Sequence, residues 1–143
     1  MRQQIIDVVV EYRIEYNDRG KAVKSRYVNG ELIDQETPEW YDMVGDREWH
    51  LNGMLHREDG PASIEWDGTE KWYRHGLLHR EDGPAVIHAE GGTQWWYKGS
   101  RHRVGSPAVE YADGSTEWWY NGKLVDRFTH WIMDNSQNIQ TQP

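Results

Sequence analysis

The chain of 143 residues contains no cysteine, which excludes disulfides, thiolate catalysis and cysteine-ligated metals. Phenylalanine occurs once, against nine tryptophans and eight tyrosines, a balance that favours strands and amphipathic surfaces over an aliphatic core. Long hydrophobic runs are missing too. In "MRQQIIDVVVEY", Asp7 and Glu11 interrupt the apolar residues and no small-residue cleavage site follows, so neither a signal peptide nor a membrane span is expected. Basic charge is in deficit: 16 Lys and Arg face 24 Asp and Glu, a net charge of −8 that opposes general nucleic-acid backbone binding. There is no Gly-rich phosphate loop, no nucleophile elbow and no HExxH. Glu58-Asp59 and Glu81-Asp82 are adjacent in turns, whereas acid/base pairs stand opposed around a substrate. The expectation is a non-enzymatic chain without cofactor or metal; were there catalysis, His79 and Asp82 would be its first candidates.

What is present is a repeat. Gly30, Gly53, Gly76, Gly99 and Gly122 recur every 23 residues without insertion, and Pro38, Pro61, Pro84 and Pro107 keep the same step. Trp49, Trp72, Trp95 and Trp118 follow it as well, as do Gly45, Gly68, Gly91 and Gly114. Four residue classes in one register cannot arise from composition. Residues 1–143 therefore form a single repeat domain: an N-terminal strand and degenerate first unit (1–29), regular repeats (30–122), and a C-terminal cap with a polar tail (123–143).

Each unit holds two strands and two turns. In one copy "AVIHA" and "TQWWYK" are the strands, Glu90-Gly91-Gly92 turns between them, and Lys98-Gly99 makes the next turn. Asn29-Gly30, Asn52-Gly53, Asn121-Gly122, Asp67-Gly68 and Asp113-Gly114 are tight-hairpin dipeptides, expected to place both turn residues at positive φ. "LHREDGPA" (55–62 and 78–85), worn to "RHRVGSPA" at 101–108, supplies the longer return. The fold class is all-β: an elongated single antiparallel meander of 23-residue hairpin repeats with a short C-terminal capping helix.

The period, the turn glycines, the strand aromatics and "NGxLHRxDGPA" resemble the variant MORN repeat of bacterial and phage proteins, over about residues 26–126. That resemblance implies an elongated sheet of consecutive hairpins and a binding role, some members being regarded as antitoxins. It also implies a bacterial or phage origin, and a bacterial cytoplasmic location for the chain.

Three groups of residues are candidate sites. His56-Arg57, His79-Arg80 and His102-Arg103 occupy equivalent positions, and two strand spacings separate successive copies by about 10 Å, too far to share one metal ion. They are expected to be structural joints, with Arg57 and Arg80 pairing Asp59 and Asp82; the alternative is an anionic nucleotide held by these Arg and stacked on Trp. Along the strands, Trp72, Trp95 and Trp118 alternate with Tyr73, Trp96 and Trp119, so one aromatic column lies on each face. Trp96 and Trp119 are candidate partner contacts. Finally, the stretch from Glu31 to Glu48 carries seven acidic residues and one Arg, and breaks the repeat. There Glu36, Glu39 and Asp42 can steer a basic partner that Trp40 and Tyr41 anchor.

The ends are expected to cap the sheet. "VVVEYRIEY" alternates like a half-buried strand, and Phe128, Trp131 and Ile132 share one face of a helix that would close the last edge. The functional expectation is a module that inhibits or sequesters a partner protein with a basic surface, such as a bacterial host protein, without membrane contact. An apolar sheet face would serve a homodimer equally well, and a passive structural role is a further alternative.

Overall fold

A computed structural model of the chain describes residues 8–16, 18, 20, 22–41 and 45–140, with side chains given except at 34, 36–41 and 137–140. The strands are β1 (Val10–Tyr16), β2 (Ala22–Val28), β3 (Glu31–Tyr41), β4 (Arg47–Leu51), β5 (Met54–Leu55), β6 (Ser63–Ile64), β7 (Glu70–Lys71), β8 (Tyr73–Arg74) and β9 (Leu77–Leu78). They continue as β10 (Val86–Ile87), β11 (Gly92–Gln94), β12 (Trp96–Tyr97), β13 (Ser100–Arg101), β14 (Val109–Tyr111), β15 (Thr116–Tyr120) and β16 (Lys123–Val125), and α1 (Arg127–Gln140) follows. Every pairing is antiparallel. The all-β meander with one C-terminal helix is thus the architecture observed.

Turn chemistry explains where the chain reverses. Asn29-Gly30, Asn52-Gly53 and Asn121-Gly122 place both residues at positive φ, and His75-Gly76 and Lys98-Gly99 do the same without asparagine. The Asp-Gly pairs differ from expectation. At Asp67-Gly68 and Asp113-Gly114 only the glycine is left-handed, because the Asp carboxylate instead accepts the N–H of Thr69 or Ser115 two residues on.

The sheet divides in a way the alternation pattern does not reveal. A twelve-stranded sheet runs β1-β2-β3-β4-β6-β7-β10-β11-β14-β15-β16 with β5 beside β4, while β8-β9 and β12-β13 are separate two-stranded ribbons. The breaks fall at Trp72 and Trp95. Trp72 donates its N–H to Ala85, on the main sheet, and accepts from His79, on the ribbon; Trp49 and Trp95 do the same with Ala62 and His56, and with Ala108 and His102. Each unit's second strand therefore crosses at its Trp from one ladder to another. Successive ribbons are themselves joined, since Gly76, Gly99 and Gly122 donate to the carbonyls of Leu55, Leu78 and Arg101.

Among the described residues the buried hydrophobic set is small: Val23, Ala62, Ala85, Val86, Ala108 and Val109. Ala62, Ala85 and Ala108, each accepting the N–H of a repeated Trp, are 0% exposed. Among the described residues α1, packed on β15, is the helix that lies against the strands, and ladder hydrogen bonds with side-chain stacks along the strands carry much of the stability.

The two ends depart from expectation. On β1, Val10, Tyr12, Ile14 and Tyr16 are 49–74% exposed, so this strand is not half-buried. In α1 the helix docks on β15 by its His130 side, with the ring edge-on to Trp118 (5.0 Å) and to Tyr120 (5.8 Å). Phe128, Trp131 and Ile132 face away instead. The cause is the cap: Asp126 accepts the Thr129 N–H at 2.7 Å and its hydroxyl at 2.9 Å, fixing where the helix starts and hence its phase. Asp134, one turn after His130, then accepts the Gly105 N–H at 2.9 Å. The helix runs through Gln140, into the polar tail.

Candidate functional site

The His-Arg pairs form a built joint in every copy. His56, His79 and His102 each turn Nδ1 to a backbone N–H of the next ribbon's turn, that of His75 (2.9 Å), Lys98 (2.9 Å) and Asn121 (3.1 Å). The acceptor must be the unprotonated nitrogen, so the neutral ring is the one that fits. The three rings also contact aromatics at or beside the same turn, His56 and His79 tilted against His75 and Tyr97, and His102 edge-on to Tyr120.

The arginines are equally committed. Arg57, Arg80 and Arg103 lie 4.1 Å over Trp49, Trp72 and Trp95, and each bonds the carbonyl of the loop proline. Arg57 and Arg80 reach Asp59 (3.0 Å) and Asp82 (2.9 Å), which holds both carboxyls below their usual range. In the third copy, where Gly105 stands for Asp, Arg103 takes Glu110 at 3.2 Å instead. A Cβ on Gly83 would stand 2.8 Å from the Arg80 guanidinium carbon, but the third copy carries Ser106 at this position with Arg103 still 4.1 Å over Trp95, so the arginine accommodates a side chain there.

Between these loops lie clefts of about 630, 460 and 420 Å³. The largest is lined by Tyr12, Lys24, Arg26 and Leu51 together with His56, Arg57, Glu58 and Asp59. Each is lined by both carboxylates and cations, and no group of His, Asp and Glu among the described residues could hold a metal ion.

Trp96 and Trp119 are brought together, but not as free platforms. Arg101 is sandwiched between them, 5.0 Å and 4.9 Å from the two rings, and their indole N–H groups donate to Gln94 and Glu117. Of the acidic stretch, Glu36, Glu39, Trp40 and Tyr41 lie on β3 and are described by backbone alone. The register shifts there between Thr37 and Trp40. Asp42 lies outside the described residues.

The apolar surface that sequence patterning misplaced is at the C-terminal end. Phe128 (69% exposed) stacks on Trp131 (61% exposed) at 6.3 Å, Ile132 stands beside them one residue on, and Leu124 of the preceding strand is 60% exposed. The sequence does carry the cue, in Asp126 placed three residues before Thr129, which sets the cap.

Fold and surface together define a β-repeat chain with internally hydrogen-bonded joints and an exposed aromatic patch on its terminal helix. Comparison with protein-family models, with curated proteins and with solved structures finds no match. No helix among the described residues is long and apolar enough to cross a membrane.

Proposed function

We propose that the chain is a non-enzymatic protein-binding module that sequesters or inhibits a partner with a basic surface, in the manner implied by its resemblance to variant MORN-repeat proteins. The observation that carries this reading is the Phe128–Trp131 stack, left exposed on a helix whose opposite face is already docked. Apolar rings of this size in water favour a partner that desolvates them, and Trp is the residue type that most often dominates such contacts. The net charge of −8 supplies the long-range field, with the acidic run on β3 as its strongest segment. A nucleotide site in the inter-loop clefts draws less support, because each guanidinium is already stacked and bonded within the chain.

The test compares the wild-type chain with a Phe128→Ala/Trp131→Ala variant. Each is used to capture protein from bacterial lysate, while small molecules released on heating the purified chain are identified by mass spectrometry. A protein retained by the wild type and lost by the variant, with both equally folded, is the expected result. A nucleotide released in stoichiometric amount with no protein retained would sink the reading and move function to the clefts beside Arg57 and Arg80.

A further inference from the structure

β1 is the terminal strand of the large sheet, and one of its edges has no neighbour among the described strands. Which backbone groups face outward follows from one bonded pair. Val9 donates to the Asn29 side chain and accepts the Asn29 N–H, so odd-numbered residues of β1 turn their backbone toward β2. In an antiparallel ladder the orientation alternates, and the N–H and C=O of Val10, Tyr12, Ile14 and Tyr16 therefore point away from the sheet. The pairing with β2 is unbroken through all seven residues, so no bulge twists this edge away. The strand "VEYRIEY" has no lysine or proline, two of the usual means by which an open edge is kept from pairing, and its charged residues Glu11, Arg13 and Glu15 are of both signs.

We infer that β1 pairs with β1 of a second copy of this chain, antiparallel, about a two-fold axis at Tyr12. Charge selects the register. An axis at Glu11 or at Arg13 sets that residue against its own copy, which is repulsive. An axis at Ile14 requires Glu15 as a partner for Arg13 and sets Val10 opposite Asp18, but Glu15 already accepts the hydroxyls of Ser25 and Tyr27. Within one chain Arg13 already donates to both carboxylate oxygens of Glu11, at 2.8 and 3.0 Å; the axis at Tyr12 sets this pair opposite its own copy with Glu11 facing Arg13 and Arg13 facing Glu11, so the two ion pairs close into one four-charge network with no like charges opposed. On the other face Val10 then meets Ile14 and Val8 meets Tyr16, an apolar set that is 49–74% exposed in the single chain. All outward backbone groups from Val10 to Ile14 become bonded across the axis. This assembly uses the end of the sheet opposite α1 and is independent of the partner surface proposed above.

The absence of cysteine makes the register directly measurable. Residues that exchange both hydrogen bonds across an antiparallel pair have Cα atoms about 5.5 Å apart, within the range that a disulfide spans. Under mild oxidation Tyr12→Cys should form a covalent dimer. Ile14→Cys should not, since the two copies of residue 14 are offset by four strand residues, about 13 Å. Sedimentation equilibrium should find the wild type dimeric at micromolar concentrations. Tyr12→Pro should be monomeric with an unchanged far-ultraviolet spectrum, because only an outward N–H is lost. A wild type that stays monomeric at every concentration reached would overturn the inference and leave the edge for a strand of another chain. Equal cross-linking by Ile14→Cys would overturn the register.

Discussion

Replacing His56 by Ala tests whether the repeated imidazole is a joint or a site. In the folded chain His56 is 8% exposed, accepts the His75 N–H at 2.9 Å and places Nε2 2.9 Å from Glu58. Alanine leaves that partly buried N–H without an acceptor, a loss of about 1 to 3 kcal/mol, and removes the ring from its contact with His75. The expected destabilisation is about 2 kcal/mol. For a chain of this length that lowers Tm by roughly 6 to 8 °C. His79→Ala breaks the same bond at a more exposed site and should cost about 1 kcal/mol. Because successive joints share no hydrogen-bond partner, His56→Ala combined with His102→Ala should be additive to within about 0.5 kcal/mol. Urea unfolding followed by tryptophan fluorescence measures all of these, with binding assayed on the same samples. The reasoning is refuted if His56→Ala keeps its unfolding midpoint yet abolishes binding, for then the ring acts on a ligand rather than holding two ribbons together.

Other consequences can be checked on the same preparations. Gly92→Ala should destabilise by more than about 1 kcal/mol, since its φ is +103° and a Cβ there meets the Glu110 carbonyl at 3.0 Å, whereas Gly114→Ala meets nothing and bears only the φ penalty. Lys98→Asn should raise the free energy of unfolding by up to about 1 kcal/mol, because asparagine tolerates the φ of 48° better than lysine does. Burial holds the His102 ring below its ordinary pKa of 6.5, so the unfolded chain takes up a proton first as pH falls. Stability should therefore decline as pH drops below about 6.5, and His102→Asn should flatten that slope. Asp59, Asp82 and Asp126 are held below the usual carboxylate range by their hydrogen bonds to Arg57, Arg80 and Thr129. What they contribute is present above the unfolded carboxylate value and is lost in a second fall as pH drops through the folded one. Reversing the charges at Glu36, Glu39 and Asp42 should slow association with the partner and weaken its salt dependence, read by stopped-flow at several ionic strengths.

What the sequence by itself determined is what local chemistry governs. The glycine period, the Asn-Gly reversals and the alternation of the strands specify an antiparallel repeat, because a left-handed turn and a two-residue period are decided within a few bonds. The Arg-Asp pairing across two residues was legible for the same reason. Tertiary structure decided the rest. Nothing local indicates that the strand changes ladder at its Trp, that each His Nδ1 finds a backbone N–H 19 residues on, or that Glu110 takes the place of the missing Asp beside Arg103. The clearest case is α1, where Phe128, Trp131 and Ile132 mark an apolar face that periodicity assigns to the core. The Asp126 cap and the bond from Gly105 to Asp134 set the helix phase against β15, and His130 is buried instead. Hydrophobic periodicity states which residues share a face; which face is covered depends on anchors that only the folded chain brings within reach.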